Sequence, residues 1–140
     1  MTDQTVSATD PDWSRETPRG FWDPGRKLLK TVRDYQRLAA RPAAFFRPRK
    51  ALVALRHRFW SVVTGADIPL ECAHIAGGLI INHPNGIVIH PDAVIGPNCL
   101  LMQQTTLGNT HRGGAPRLGG HVEVGAGAKI LGPVTIGDHV

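Results

Sequence analysis

The stretch that decides the fold is IHPDAVIGPNCLLMQQTTLG, Ile89–Gly108, resumed after a break by LGGHVEVGAGAKILGPVTIGDHV, Leu118–Val140. An aliphatic residue returns at every sixth position: Ile89, Ile95, Leu101 and Leu107, then Leu118, Val124, Ile130 and Ile136. Four residues after most of these stands a small or β-branched side chain: Ala93, Cys99, Thr105, Val122, Ala128, Val134 and Val140. A glycine often follows the aliphatic residue directly, at Gly96, Gly108, Gly119, Gly125 and Gly137. This six-residue period is the signature of a parallel β-helix. Each period makes one short strand and one tight turn. The aliphatic side chain points inward onto its equivalents, and the small one fits a corner. One coil cannot bury its inner face alone, so stacking carries the stability. The glycines are expected to supply positive φ at the turns.

Working outward, the register breaks twice. Ile75, Ile81, Ile87 and Ala93 are spaced by six but offset from the main series, which predicts a phase slip near His83. His83 falls six before Ile89, a register position filled elsewhere by an aliphatic residue, and its flanks Asn82 and Pro84-Asn85-Gly86 form a turn. On residues alone it is either a solvated turn histidine or a functional one. The second break is Gly108–Arg117, where Leu107 to Leu118 spans eleven residues instead of six. Such a polar, glycine-rich excursion is either a tolerated surface insertion or part of a binding face.

Upstream, residues 1–20 are polar, with no apolar core of a signal peptide, and read as a flexible tail. Residues 21–65 read as a short helical segment. Asp23-Pro24 resembles an N-cap with proline in the first turn, Leu28, Leu29, Val32, Tyr35 and Leu38 give a helical stripe, and Arg41-Pro42 ends it. A second helix opens near Pro48. Its expected apolar face is Ala51, Leu52, Leu55, Phe59, Trp60 and Val63, and Gly65 is its C-cap. Residues 66–140 form the repeat domain.

Charge is uneven. Residues 1–64 hold thirteen Lys/Arg against six Asp/Glu, residues 65–140 three against five, within a net charge of +5. No nucleic-acid motif accompanies the basic part, so these charges read as the solvated face of helices. No run of eighteen apolar residues suggests a membrane span. Two cysteines, Cys72 and Cys99, make no disulfide framework, and a reducing cytoplasm is the expected location.

Four motifs together carry a family resemblance: Gly65-Ala-Asp-Ile-Pro, Asn82-His-Pro-Asn-Gly-Ile-Val-Ile-His, Gln104-Thr-Thr-Leu-Gly-Asn and Val124-Gly-Ala-Gly-Ala-Lys-Ile-Leu-Gly. The region from about Thr64 to Val140 resembles serine O-acetyltransferase and, more broadly, the hexapeptide-repeat acyltransferases. The resemblance implies an all-β solenoid, a left-handed parallel β-helix, behind a short α-helical N-terminal segment. It implies acetyl transfer from acetyl-CoA, as co-substrate and without a metal, to a hydroxyl, most simply that of serine on the way to cysteine. His83 becomes the general base and Asp67 the carboxylate that orients it. Attack is direct, with Cys72 as a weak covalent rival. Gly108, Asn109 and Ala126 would line the pantetheine arm, and Asn82 and Arg112 the acceptor. Lys129 and Arg112 could meet phosphates. A homotrimer with sites between subunits is implied, and cysteine synthase is an implied partner.

The chain departs from the family pattern in several places. Asp67 to His83 spans sixteen residues, one more than the family spacing, and Asn82 replaces an aspartate. Gly114–Arg117 reads Gly-Ala-Pro-Arg where the family has Arg-His-Pro-Lys. The helical segment is short, which favours a lone trimer over a hexamer, and the sequence stops within a repeat, as a truncated chain would. The alternatives are therefore a sugar acceptor, as in exopolysaccharide synthesis, and an inactive truncated scaffold.

Overall fold

Proline and glycine set the bounds of the two helices. In the computed structural model, which describes residues 6–140, α1 spans Pro24–Ala39 and α2 spans Ala43–Thr64. Pro24 sits in the first turn of α1, where its missing N–H costs nothing. Asp23 holds the N-cap position and its carbonyl accepts Lys27 N–H at 2.9 Å, but its side chain makes no cap hydrogen bond. Its carboxylate instead accepts the Arg19 backbone N–H at 3.0 Å and faces Arg26. Pro42, not Pro48, opens α2: the Phe45 and Phe46 N–H groups anchor on the Pro42 carbonyl, and Pro48 lies inside the helix. Gly65 closes α2 at φ +68°, the left-handed cap that glycine adopts without strain.

The stripe of α1 places Leu28, Leu29 and Val32 in the core, with Tyr35 and Leu38 half-buried. The face of α2 is not buried. Val53 and Thr64 are buried and Trp60 packs against the core, whereas Leu52, Leu55, Phe59 and Val62 are 54–79% exposed. Periodicity identifies an apolar stripe; it does not say what covers it. No helix among the described residues is long and apolar enough to cross a membrane.

After α2 the chain winds through three parallel sheets in rotation. The strands are β1 Val88–Ile89, β2 Val94–Ile95, β3 Leu100–Leu101, β4 Thr106–Gly108, β5 Arg117–Leu118, β6 Glu123–Val124, β7 Lys129–Leu131 and β8 Thr135–Ile136. The sheets are β1-β4-β7, β2-β5-β8 and β3-β6. Partners without the loop between them lie three sixes apart, as in Val88↔Thr106 and Arg117↔Thr135. Across the loop the step lengthens by five residues, as in Thr106↔Lys129. A preceding coil is joined by the single bridges Asp67↔Val88, Ile75↔Ile95 and Ile80↔Leu100. The register residues Ile89, Ile95, Leu101 and Leu107 are at most 1% exposed, and Ala93, Cys99 and Thr105 are fully buried at the small-residue positions.

Two details differ from expectation. None of the register glycines Gly96, Gly108, Gly119, Gly125 and Gly137 is a positive-φ residue. A Cβ on Gly96 would collide with the Gly119 carbonyl of the next coil, so close stacking is what excludes a side chain there. Positive φ falls instead on other corner residues, including Asn98, Gln104, His121 and His139.

The segment after the first five residues, which lie outside the described ones, is tied down rather than free. The buried Asn98 amide accepts the Asp12 N–H at 2.7 Å and donates to the carbonyls of Ser7 and Asp10 at 2.7 and 2.9 Å. Trp13–Glu16 then form a 3-10 turn, with the Arg33 guanidinium 5.1 Å from the Trp13 ring centre. Three hydrogen bonds to one buried amide are a long-range tether that local polarity conceals.

Candidate active site

The phase slip lies where the sequence places it. Ile75 pairs with Ile95, and Ile80 with Leu100, so Ile81 sits beneath Leu101 on the inward ladder. Ile87 takes the small-residue position and is fully buried. The extra residues between Ile81 and Ile87 bulge outward. His83 is in that bulge and is exposed, so it does not replace an aliphatic residue; Ile81 fills that place. Asn82 and His83 have no side-chain hydrogen-bond partner among the described residues and face solvent.

The bulge forms the first of three corners, between the third sheet and the first. Its neighbours above are Gln103-Gln104 and Ala126-Gly127. The backbone locks them together: Gly86 N–H donates to Gly65 O at 2.9 Å, Gln104 N–H to Asn85 O at 3.0 Å and Gly127 N–H to Gln103 O at 2.9 Å. Gly86, Gln104 and Gly127 are all left-handed, at φ +72°, +61° and +76°. At Gly86 a side chain would also collide with the Gln104 amide, so glycine is required on both counts. Lys129 donates its ammonium to the Gln104 carbonyl, which occupies the group expected to reach a phosphate.

Asp67 stands on the strand-like segment beside this corner. Its N–H donates to Ile87 O at 2.8 Å and its carbonyl accepts from Ile89 N–H at 2.9 Å. Ala66 and Ile68 on either side are buried, so strand alternation turns Asp67 outward. No hydrogen bond or ion pair joins Asp67 to His83.

The loop Gly108–Arg117 forms the second corner, between the first and second sheets. It turns at Thr110, whose carbonyl accepts Gly113 N–H at 2.8 Å, and returns through buried Pro116, whose carbonyl accepts Val94 N–H at 3.0 Å. Arg112 and Asn109 are exposed. Within one chain, then, Asn82, His83 and Ala126 share a corner with Asp67 nearby, while Gly108, Asn109 and Arg112 lie on another.

Two nearby groups constrain the chemistry. Cys72 is fully buried, and burial, with help from the carboxylates of Glu71, Asp67 and Asp92, pushes its thiol up to about 12. A thiol held protonated is a poor nucleophile, which removes the covalent rival. His57, missed by the motif reading, joins α2 to α1. Thr31 already donates to Leu28 O at 2.6 Å, so His57 Nδ1–H is the donor in the 2.8 Å contact with Thr31 Oγ1. Burial holds His57 below the ordinary imidazole range, against the opposing pull of Glu71 and Asp67.

Fold and corner define a protein of stacked parallel coils with an exposed histidine turn where the winding slips. In sequence and in fold the chain is similar to serine acetyltransferases, as its motifs suggest. It is 40% identical to serine acetyltransferase of Synechocystis over 119 residues, 83% of this chain and 45% of that protein. It is 31% identical to serine acetyltransferase of Mycobacterium tuberculosis over 129 residues, 90% of this chain and 46% of that protein. It superposes on Entamoeba histolytica serine acetyltransferase isoform 3, solved with cysteine, at TM-score 0.68 and 26% identity, over 89% of this chain and 48% of the other. A serine acetyltransferase complex with CoA matches at TM-score 0.65 and 30% identity, over 84% of this chain and 46% of the other. The chain thus spans less than half the length of these relatives. No protein-family model matches it.

Proposed function

We propose that this chain is the core of an O-acetyltransferase that moves acetyl from acetyl-CoA to the hydroxyl of serine, on a left-handed parallel β-helix. The observation that carries the reading is the solvent-open His83 turn at a slip in the winding, in a chain similar to serine acetyltransferases in sequence and in fold.

His83 is the general base. A hydroxyl is a poor nucleophile near neutral pH; an imidazole in hydrogen-bond reach takes its proton as the oxygen attacks the thioester carbonyl. The tetrahedral adduct collapses, the C–S bond breaks, and the imidazolium returns the proton to the departing thiolate. Asp67 orients the ring and stabilises its charged form. Among the described residues neither side chain has another partner, so both can turn toward a bound acceptor, and Asn82 lies beside it.

Acetyl-CoA lies along Gly108, Asn109 and Ala126. Nothing stands within 4 Å of a Cβ built on Gly125 or Gly127, which leaves room for an extended arm beside Ala126. Because the His83 corner and the Gly108–Arg117 loop are separate in one chain, a neighbouring copy in a trimer supplies the loop, and with it Arg112, to each site. The exposed stripe of α2 suits such an assembly. A cytoplasmic location and cysteine synthase as a partner belong to the same reading.

One observation favours a second acceptor. The loop has Ala115 where the resemblance calls for a carboxylate-holding histidine, which suits a sugar hydroxyl. Thiol release from acetyl-CoA with serine, against a panel of sugars, decides between them. Faster release with serine supports the first reading. Release with a sugar alone supports the second, and a folded trimer with neither supports a scaffold.

A further inference from the structure

The third corner, between the second and third sheets, carries a pair of imidazoles that the proposed acetyl transfer does not use. His121 and His139 occupy equivalent places in successive coils, both left-handed at φ +53° and +58°. The backbone ladder sets their spacing: His139 N–H donates to Gly120 O at 3.0 Å and His121 N–H to Pro97 O at 2.7 Å. Asp138 braces the same turn by accepting Gly120 N–H at 2.7 Å. The two Nδ1 atoms meet at 2.9 Å, with ring centres 5.2 Å apart and planes at 79°.

Two nitrogens at that separation hold one proton between them, so one ring donates and the other offers its lone pair. The Glu123 carboxylate lies 3.8 Å from His121 Nε2. With the proton on Nε2 of His121, its Nδ1 lone pair faces His139. Metal–imidazole bonds of about 2.0–2.1 Å place two cis nitrogens about 2.9–3.4 Å apart, which brackets the observed separation. Rotation about the His139 side-chain bonds completes the angle.

We propose that His121 and His139 form a surface site for a divalent borderline metal ion, with copper favoured by the general affinity order. Water completes the shell, since no group of three or more His, Cys, Asp or Glu side chains converges among the described residues. When the metal enters, the shared proton moves to Nε2 of His139 by way of solvent, and both rings stay neutral.

The test is titration of the tag-free protein with Cu2+, followed by calorimetry and by electron paramagnetic resonance. His121→Asn and His139→Asn are suitable variants, because Asn98 holds the same left-handed conformation at this corner. His74→Asn, an exposed histidine elsewhere, is the control. The expected result is one ion per chain with a two-nitrogen signature, at least tenfold weaker binding in either corner variant, and no change in the control. Equal affinity in wild type and corner variants, a one-nitrogen spectrum, or an equal loss in the control overturns the proposal.

Discussion

Glu16 and Arg33 form a buried, two-pronged ion pair that ties the N-terminal turn to α1. Arg33 Nε donates to Glu16 Oε2 at 2.9 Å and Nη2 to Oε1 at 2.8 Å. Arg33 also donates to the carbonyls of Ile75 and Ala76 at 2.6 and 2.8 Å, and Glu16 accepts Leu79 N–H at 3.1 Å. The pair therefore joins three parts of the chain, and every charge in it is hydrogen-bonded. Removing one partner strands the other in a low-dielectric setting. Glu16→Ala is expected to destabilise the fold by about 3–5 kcal/mol, measured by urea unfolding. Arg33→Met added to it should recover part of the loss, because no orphan charge is left.

The inward ladder gives a second expectation. Leu101 is fully buried, whereas Leu131 on the neighbouring sheet is 48% exposed. Leu101→Ala leaves a cavity between coils and should cost about 2–5 kcal/mol. Leu131→Ala should cost well under half of that. Comparable losses at the two positions would contradict an inward ladder.

His57 predicts a pH dependence. Its folded-state pKa lies below the ordinary imidazole value because of burial. Between the unfolded value of about 6.5 and the lower folded value, the unfolded chain binds more protons. Stability should therefore fall as the pH drops below about 6.5, and remain level above it. His57→Gln should flatten this slope in thermal melts taken from pH 7.5 to 5.

Cys72 should be silent in the folded protein. With its thiol raised to about 12 and its side chain sealed from solvent, alkylation at pH 8 should require unfolding. Mass spectrometry after a short iodoacetamide pulse, with and without denaturant, reads this directly.

The repeat was legible because inward stacking leaves one chemical requirement at a fixed spacing, and Ile89 to Ile136 meet it. The slip at His83 was legible for the same reason, as Ile81 and Ile87 fall out of step. The glycines misled, because Gly96 is demanded by stacking distance, which a sequence does not display, and not by φ. The outward face of α2 was hidden because Val53, outside the expected stripe, is the buried position, whereas Leu52, Leu55 and Phe59 within it face outward. The Asn98 tether joins residues more than eighty positions apart, beyond any local pattern. At the site, individual residues could be named from motifs, but their division between two corners depends on the winding itself.

The central claim is that the His83 imidazole activates a hydroxyl toward a CoA thioester. Its most direct measurement is the rate of thiol release by His83→Ala with acetyl-CoA and serine, alongside CoA affinity. The rate should fall by about 10²–10⁴-fold, with CoA affinity unchanged. A variant that keeps a near-normal rate would contradict it.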